Sequence, residues 1–345
     1  MAGRYKIGFL EGDGIGPEIV SAALRVLEAL GVDAEFIRVE GGYSYYKRTG
    51  RVLQQDFFDL ARRLDAVIKG PLYTPSDEKE FRSVNVLIRR ELNLYANVRP
   101  FRSYKGVSQG EFNFVIVREN TEDLYVGAEY SNGEVAVSLK VITALASKRI
   151  CEFAFNYAVS NNFKTLAVVH KANILKLSDG LFRDICLRIA GRYPQVEARE
   201  LLVDTAGFTI VRNPGRLGVL VTPNLYGDIL SDVAAGVVGG LGLCGSAQIG
   251  EGVAVFEPVH GVAFDVAGRG VANPVGELEA ARLMLEYLAG KHGDQSLRRK
   301  ARTLVEAVRR AIEEFRVLTP DLGGSHSTRS VVETIIKIIQ SSPES

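Results

Sequence analysis

The stretch from Lys6 to Gly31, KIGFLEGDGIGPEIVSAALRVLEALG, contains a short apolar run, a glycine-rich turn and a long amphipathic segment. The run KIGFL is typical of a buried β-strand, and the glycines that follow it predict a turn. Pro17 stands at an early helical position and Gly31 at a stop position, so the segment between them predicts a helix. The same alternation recurs along the chain: strands are predicted at AEFIRVE, DAVIKG, FNFVIVRE, EVAVSLKVIT, TLAVVHK, LGVLVTP and VAVFEPV, with helices between most of them. This pattern predicts an α/β protein.

The turn GDGIGP is similar to a dinucleotide-binding fingerprint but fails its spacing. Gly12 and Gly14 would require a third glycine at position 17, where Pro17 stands instead. An ordinary Rossmann site is therefore disfavoured, and a nucleotide would have to bind in another way.

Composition limits the class of protein. The chain has 345 residues, enough for about two domains, and its 42 basic and 41 acidic residues give a net charge of +1. This balance argues against a nucleic-acid or membrane-surface protein, and no apolar run is long enough for a membrane span. The three cysteines lack metal-site or disulfide-framework spacing, so we expect no disulfide and a reducing, cytoplasmic location.

A cluster of arginines predicts a site for a polyanion. The segment EFRSVNVLIRRELNLYANVRP, residues 80–100, predicts a helix with Ser83 as its N-cap. Asn85 and Arg89 are four residues apart and project from one helical face. Arg99 lies beyond the predicted helix end and Arg118 in the strand FVIVREN. Arginine binds carboxylates and phosphates with good geometry, so this set suits a multiply charged ligand.

Asp228 and Asp232 lie four residues apart on a predicted helix, in LYGDILSD. Like charges at this spacing repel each other, and a divalent cation would relieve the repulsion. Oxygen ligands favour Mg²⁺ or Mn²⁺ over zinc. Two solvated carboxylates are the alternative, disfavoured because the flanking apolar residues, including Ile229, suggest burial. Asp204, expected to end the strand in LLVDTAG, could be a third ligand.

Lys171 and Tyr125 are the candidates for proton transfer. Lys171 ends an apolar strand, where a lysine suits a general base or extends to solvent. Tyr125, in RENTEDLYVG, could donate a proton or simply pack as an aromatic side chain. His260 is one of four histidines, and no second histidine stands at metal-ligand spacing from it.

Several of these stretches together resemble the β-decarboxylating dehydrogenases that act on isocitrate, homoisocitrate and 3-isopropylmalate. The likeness covers nearly the whole chain, and the motifs occur in the family's order. They are EGDGIGPEI, IKGPLYTP, RSVNVLIRRELNLYANVRP, VIVRENTEDLYVG, VHKANILKLSDGLF, NLYGDILSDVAAGVVGGLGL and FEPVHGVAFDVAG with the following GVANP.

The resemblance implies NAD(P)-linked oxidation of a 2-hydroxy acid followed by loss of CO₂. It assigns Tyr125 and Lys171 to catalysis, with Lys171 aiding removal of the hydroxyl proton and Tyr125 protonating the enolate. The residues that it assigns to the substrate are Ser83, Asn85, Arg89, Arg99 and Arg118. Those that it assigns to the nucleotide are Thr74, Asn173, His260, Gly261, Asp265, Val266 and Asn273. Those that it assigns to the metal are Asp204, Asp228 and Asp232. It further implies a homodimer in which Lys171 and Asp204 reach across from the partner subunit.

Four polar residues bear on the identity of the substrate. Ser83 and Asn85 offer hydrogen-bond donors to a third carboxylate, as do Lys69 and Thr74 in IKGPLYTP, which favours isocitrate over 3-isopropylmalate. Homoisocitrate differs by one methylene, so dual activity stays open. Tyr73, which replaces a smaller residue of many relatives, could reshape the pocket.

The nucleotide is expected to be NAD. The carboxylate of Asp265 can accept hydrogen bonds from ribose hydroxyls and repels a 2′-phosphate. In the family, members that bind NADP have Lys and Tyr where this chain has Asp265 and Val266.

The resemblance also implies a fold of the isopropylmalate/isocitrate dehydrogenase type, with two domains that share a mixed sheet. The large domain would comprise residues 1–98 and 241–345, and the small dimerisation domain residues 99–240. A non-catalytic regulatory subunit is one alternative, although the catalytic and metal positions are all present. A metal-dependent phosphoryl-transfer enzyme is another, but no P-loop motif is visible.

Overall fold

The computed structural model of the protein describes residues 5–76, 81 and 83–341, in which strands and helices alternate. The strands are β1 Tyr5–Leu10, β2 Ala34–Val39, β3 Ala66–Lys69, β4 Ala96–Arg102, β5 Asn113–Glu119, β6 Glu129–Ser131, β7 Ala136–Ser138, β8 Thr165–His170, β9 Glu197–Leu202, β10 Val219–Thr222, β11 Gly245–Ile249 and β12 Ala254–Pro258. The helices are α1 Gly16–Ala29, α2 Tyr43–Thr49, α3 Phe57–Arg63, α4 Val84–Glu91, α5 Ala144–Ser160, α6 Ser178–Ala190, α7 Val203–Arg212, α8 Asn224–Val238, α9 Val275–His292, α10 Gln295–Glu313 and α11 Thr328–Gln340. Within the described ranges, none of the helices combines the length and the apolar character that a membrane crossing requires.

The first compact unit consists of the described residues within Met1–Leu92, Tyr104–Ser108 and Gly239–Ser345. Its strands lie in the order β2-β1-β3-β12-β11. The first four are parallel, and β11 is antiparallel to β12. Helix α9 packs closely on this sheet at Gly245, where an added Cβ would lie 2.5 Å from the backbone nitrogen of Ala280.

The second compact unit consists of Asn93–Ser103 and Gln109–Val238. Its strands lie in the order β4-β5-β10-β8-β9, with β4 antiparallel to β5 and the others parallel. Strands β6 and β7 form a separate antiparallel hairpin. The division into domains expected from the sequence stays a prediction.

The turn after β1 holds a buried carboxylate. Asp13 is 1 % exposed and accepts hydrogen bonds from the backbone N–H groups of Tyr43, Ser44 and Tyr73 at 2.8–2.9 Å. Gly14 has a φ of +59°, and a Cβ there would lie 2.0 Å from the carbonyl oxygen of Val262. The glycines of GDGIGP therefore serve close backbone packing around Asp13.

The expectation that the cysteines form no disulfide is wrong. Cys151 of α5 and Cys186 of α6 are both buried and form a disulfide, because the two helices pack side by side with these Cα atoms 5.4 Å apart. The third cysteine, Cys244, is buried and takes no part in this disulfide. The sequence argument for a reducing compartment thus loses its basis, and the cytoplasmic location stays a prediction.

Other differences concern local structure. Asp204 lies in the first turn of α7 and does not end a strand. Arg99 lies within β4, which the sequence did not reveal. In the expected strand EVAVSLKVIT only Ala136–Ser138 is a strand, and its side chains are exposed. The alternation of strand-like and helix-like segments therefore predicted the order of the elements, whereas the sequence did not predict where exposed elements end.

Candidate active site

Helix α4 presents the predicted substrate residues of the first unit. Ser83 is its N-cap and accepts a hydrogen bond from the backbone N–H of Val86 at 3.5 Å, as expected. The Oδ1 atom of Asn85 is buried and has no hydrogen-bond partner among the described residues. Arg89, one turn further on, is only 8 % exposed. The face of α4 predicted to bind substrate thus carries an unsatisfied polar group beside a buried cation.

Arg89 belongs to a buried ion-pair network. Its Nε donates to Oε1 of Gln248 at 2.8 Å, and its Nη2 lies 3.5 Å from Oε1 of Glu257. Lys69, at the end of β3, forms a salt bridge with the other oxygen of Glu257 and is 1 % exposed. A carboxylate between two cations is well compensated, so this network fixes Arg89 without neutralising it fully.

Glu277, in the first turn of α9, is a buried carboxyl group beside this network. It is 0 % exposed, and neither of its oxygens has a hydrogen-bond partner in the part of the chain that the structure describes. Burial raises its pKa well above the usual range, the charge of Lys69 opposes this, and that of Glu257 adds to it. A carboxyl group in such surroundings is held neutral.

In the second unit, Arg118 contacts the predicted proton donor Tyr125 and the predicted metal ligand Asp228. It is fully buried at the end of β5, where its Nε donates to Oδ1 of Asn224 at 2.8 Å and its Nη1 pairs with Asp228. Its guanidinium lies 5.0 Å from the ring centroid of Tyr125, whose hydroxyl donates to Asp228. A Cβ on Gly227 would lie 2.6 Å from Cγ of Arg118, so α8 needs glycine where it crosses this side chain.

Arg99 reaches the same carboxylate from β4. Its Nη1 lies 3.4 Å from Oδ1 of Asp228, and its Nε donates to Oδ1 of Asn97. Partial desolvation raises the pKa of Asp232, and the charge of Asp228 adds to this, whereas Arg99 and Arg118 oppose it. The structure thus brings together Arg99, Arg118, Tyr125, Asp228 and Asp232. The expected burial of the flanks is wrong at one position, because Ile229 is 55 % exposed.

Lys171 and Asp204 form a separate pair. The Nζ of Lys171 lies 2.6 Å from Oδ1 of Asp204, and this hydrogen bond lowers the pKa of the carboxyl group. Among the described residues, no three acidic, histidine or cysteine side chains are grouped so that they could hold a metal ion. Asp204 is therefore not grouped with Asp228 and Asp232 within one chain.

The predicted nucleotide residues of the first unit lie after β3 and β12. Asp265 and Gly261 are exposed, whereas Val266 is half-buried and packs against the cluster of Ile15, Ile19 and Ala272. Thr74 is exposed next to Tyr73, whose ring lies 5.0 Å from that of Phe264.

Two further nucleotide residues are engaged within the chain. Asn273 donates from Nδ2 to Asp321 at 3.0 Å and accepts from the backbone N–H of Val275. His260 is held through Nδ1 at 2.9 Å from the carbonyl oxygen of Gly261, and burial lowers its pKa. Asn173 lies in the second unit, exposed, two residues after Lys171. The nucleotide roles of all these residues stay predictions.

Sequence reasoning missed several polar residues that hold the site. Glu257 and Gln248 fix Arg89, and Asn224 fixes Arg118. A signal was present for Glu257, since a carboxylate within the apolar strand VAVFEPV requires a buried partner. No comparable signal marks Gln248 or Asn224, which become informative only once the strands are aligned.

Comparison with known proteins identifies the family. The family model described as isocitrate/isopropylmalate dehydrogenase matches residues 6–335. The chain belongs to this family and is a decarboxylating dehydrogenase with the α/β fold that the sequence predicted. Among solved structures, isocitrate dehydrogenase from Methylococcus capsulatus superposes with a TM-score of 0.92 at 42 % identity, covering 97 % of this chain and 99 % of that one.

Relatives with different substrates are about equally similar. A 3-isopropylmalate dehydrogenase of Methanothermobacter thermautotrophicus is 42 % identical over 97 % of this chain and 98 % of its own. An isocitrate/homoisocitrate dehydrogenase of Thermus thermophilus is 41 % identical over 98 % and 99 %. A probable mitochondrial NAD isocitrate dehydrogenase subunit alpha of Drosophila melanogaster is 42 % identical over 94 % and 84 %. Overall identity therefore leaves the substrate open.

Proposed function

We propose that this enzyme oxidises isocitrate to 2-oxoglutarate and CO₂ with reduction of NAD, as in the tricarboxylic acid cycle. The observation that carries the proposal is the polar face of α4, where Ser83 caps the helix and Asn85 stands one turn before Arg89. The Ser83 hydroxyl and the Nδ2 amide of Asn85 can donate hydrogen bonds to a third carboxylate, whereas an isopropyl group would leave these donors unpaired at a cost of about 1–3 kcal/mol each. A relative that acts on isocitrate and homoisocitrate supports the same substrate class.

The donor set suits a divalent cation. Asp228 and Asp232 lie four residues apart on α8 and offer only oxygen ligands, which favour Mg²⁺ or Mn²⁺. Each raises the free energy of the other's ionised form, and the raised pKa of Asp232 reflects this repulsion in part. We propose that Asp204 from a second subunit completes the set.

The proposed mechanism gives Lys171 and Tyr125 one proton-transfer step each. Arg99 and Arg118 orient the carboxylates of the substrate, and Lys171, through water or a neighbouring group, helps remove the hydroxyl proton as the C–H bond loses its hydride. The bond to the β-carboxylate then breaks, CO₂ leaves, and Tyr125 donates its proton to the enolate carbon. When bound, the nicotinamide accepts the hydride and the divalent cation stabilises negative charge on the substrate oxygen.

A homodimer is part of the proposal. The β6–β7 hairpin and the segment after it expose apolar side chains that an isolated subunit would leave in water. These side chains are Tyr130 at 68 %, Val135 at 58 %, Val137 at 46 %, Leu139 at 57 % and Leu145 at 76 % exposure. A second copy of the chain is their proposed partner, and it would supply Lys171 and Asp204 to the shared site.

The test is formation of NADH from NAD, or of NADPH from NADP, with isocitrate, homoisocitrate and 3-isopropylmalate, before and after removal of divalent cations with a chelator. The proposal expects the highest kcat/KM with isocitrate and NAD, and loss of activity in chelator that Mg²⁺ or Mn²⁺ restores. Homoisocitrate as the better substrate would favour the second candidate, which the weak discrimination of one methylene keeps open. A preference for 3-isopropylmalate would refute the role of the polar face of α4.

A further inference from the structure

Lys140 is a nearly buried ammonium group that contacts acidic and aromatic side chains of three other segments. Its Nζ lies 2.7 Å from Oδ1 of Asp179 and 3.6 Å from Oδ1 of Asp123, and the side chain is 13 % exposed. The centroid of the Tyr226 ring lies 4.1 Å from the same Nζ. We call Lys140, Asp123, Asp179 and Tyr226 the Lys140 cluster. Both carboxylates are fully buried, so one lysine balances two charges that water does not reach.

Asp179 connects the cluster to the predicted general base. It lies in the first turn of α6, and its Oδ2 accepts a hydrogen bond from the backbone N–H of Lys171 at 2.7 Å. The Asp179 carboxylate thus contacts the Lys140 ammonium group, the Tyr226 hydroxyl and the Lys171 backbone. Any displacement of the Asp179 carboxylate therefore displaces Lys171.

Asp123 connects the cluster to the predicted proton donor. Its Oδ1 accepts from the backbone N–H of Leu124 at 2.9 Å, and its Oδ2 accepts from that of Leu225 at 2.9 Å. Asp123 has a φ of +72°, a conformation that costs about 1 kcal/mol or more for a non-glycine residue. It directly precedes the 3₁₀ turn Leu124–Val126 that carries Tyr125 and joins this turn to the first turn of α8.

We propose that Lys140 is a positioning residue that sets the geometry of Tyr125 and Lys171 together. The proposal rests on the roles assigned to these two residues above. Without the ammonium group, two buried carboxylates lose their shared counter-ion, and uptake of a proton or movement toward water relieves the cost. That movement acts through the hydrogen bonds of Asp123 and Asp179 on the backbone of both predicted catalytic residues.

The test compares Lys140→Met with Lys140→Arg in the purified full-length enzyme. Lys140→Met should lower kcat about 100-fold and change KM by less than about threefold, because displaced catalytic groups slow the chemical step more than binding. Lys140→Arg, which keeps the charge, should recover at least about tenfold of the lost kcat. Lys148→Met, on the exposed face of α5, is the matched control and should leave kcat and KM unchanged.

Folding is checked by thermal denaturation of each variant. If Lys140→Met is unfolded at the assay temperature, Lys140→Gln replaces it, since the amide still donates hydrogen bonds to Asp123 and Asp179 but carries no charge to balance theirs. It should show the same fall in kcat at similar KM.

Different outcomes separate the two proposals. Active wild-type enzyme with an unchanged kcat in Lys140→Met, or in Lys140→Gln where that variant replaces it, overturns the positioning role alone. Equal losses in Lys140→Met and Lys140→Arg also overturn it, because charge would then not matter. If the wild-type enzyme is inactive on all three acids, this result contradicts the proposed function. It also contradicts a role of Lys140 in that turnover.

Discussion

The hydroxyl of Tyr125 donates a hydrogen bond to Oδ2 of Asp228, while Arg118 pairs with Oδ1 of the same carboxylate. One predicted metal ligand therefore holds both the predicted proton donor and a predicted substrate clamp. A cation bound at Asp228 would compete for this carboxylate and leave the Tyr125 hydroxyl available to the substrate.

Tyr125→Phe removes only this hydroxyl. We expect kcat to fall about 10²- to 10⁴-fold with little change in KM, because proton donation is lost while the ring still packs against Arg118. Steady-state kinetics of NADH formation measure both constants. Tyr193→Phe removes a hydroxyl bonded to Asn156 and serves as the control. Unchanged turnover in Tyr125→Phe would rule out its role.

Asn85→Leu replaces the unsatisfied amide of α4 with an apolar group. We expect kcat/KM for isocitrate to fall about 10- to 100-fold, since a buried substrate carboxylate would lose a partner, and activity on 3-isopropylmalate to rise. Ser83→Leu should act in the same direction but also lose the N-cap, which costs about 1 kcal/mol of stability. Kinetics on both acids check this, and parallel losses on both would mean that Asn85 does not read the third carboxylate.

Asp265→Lys with Val266→Tyr tests the nucleotide preference. Asp265 is exposed after β12, so a lysine there can extend toward a 2′-phosphate without a buried charge. We expect the ratio of kcat/KM for NADP to that for NAD to rise about 100-fold, through loss of repulsion and gain of a counter-ion. Asp265→Asn, which removes repulsion alone, should give a smaller rise. An unaltered ratio in both variants would refute the assignment.

Glu277→Leu should stabilise the protein at alkaline pH. The unfolded chain releases this carboxyl proton near the ordinary pKa of 4.5, whereas burial raises the folded pKa well above it. Above pH 4.5 the folded state therefore holds this proton more often than the unfolded state does. The free energy of unfolding of the wild type consequently falls as the pH rises. We expect the variant to gain about 1–3 kcal/mol near about pH 8 and little at acid pH.

Chemical denaturation across this pH range measures the difference. Glu277→Gln is the matched control, because it keeps the shape and removes the ionisation. A loss of stability at every pH in both variants would show that the carboxyl group supports Lys69 and Glu257 instead.

Reduction of the disulfide between Cys151 and Cys186 should destabilise the second unit. The bond closes a loop of 35 residues, which corresponds to about 4 kcal/mol in the chain-entropy description. Denaturation with and without a reductant, beside the Cys151→Ala, Cys186→Ala double variant, measures this contribution. Titration of free thiols in the unfolded, unreduced protein should find Cys244 alone, and three thiols would disprove the cross-link.

Much of the fold could be predicted from local pattern. The strand–turn–helix order from Lys6 to Gly31 and the cap at Ser83 follow from rules that act over a few residues. The β6–β7 hairpin was not found, because its exposed apolar side chains mimic a buried strand. Cys151 and Cys186 lie on different helices, and their pairing depends on how α5 and α6 pack.

The site residues also differ in whether the local sequence could predict them. Asp228 and Asp232 follow from helical spacing, and Arg118 from a charged residue at the end of an apolar strand. The contacts of Lys140 with Asp123 and Asp179 could not be predicted, because they join residues that are distant in sequence and carry no shared motif.

The carboxylate of Asp13 has a consequence for how this chain must handle its coenzyme. Three main-chain N–H groups donate to it in the way that such groups bind a phosphate. The Asp13 carboxylate therefore occupies the place where a glycine-rich turn would otherwise bind an anionic ligand. A pyrophosphate arriving there would meet this carboxylate, which already accepts from the three N–H groups. We therefore expect that changing Asp13 disturbs folding before it disturbs nucleotide affinity.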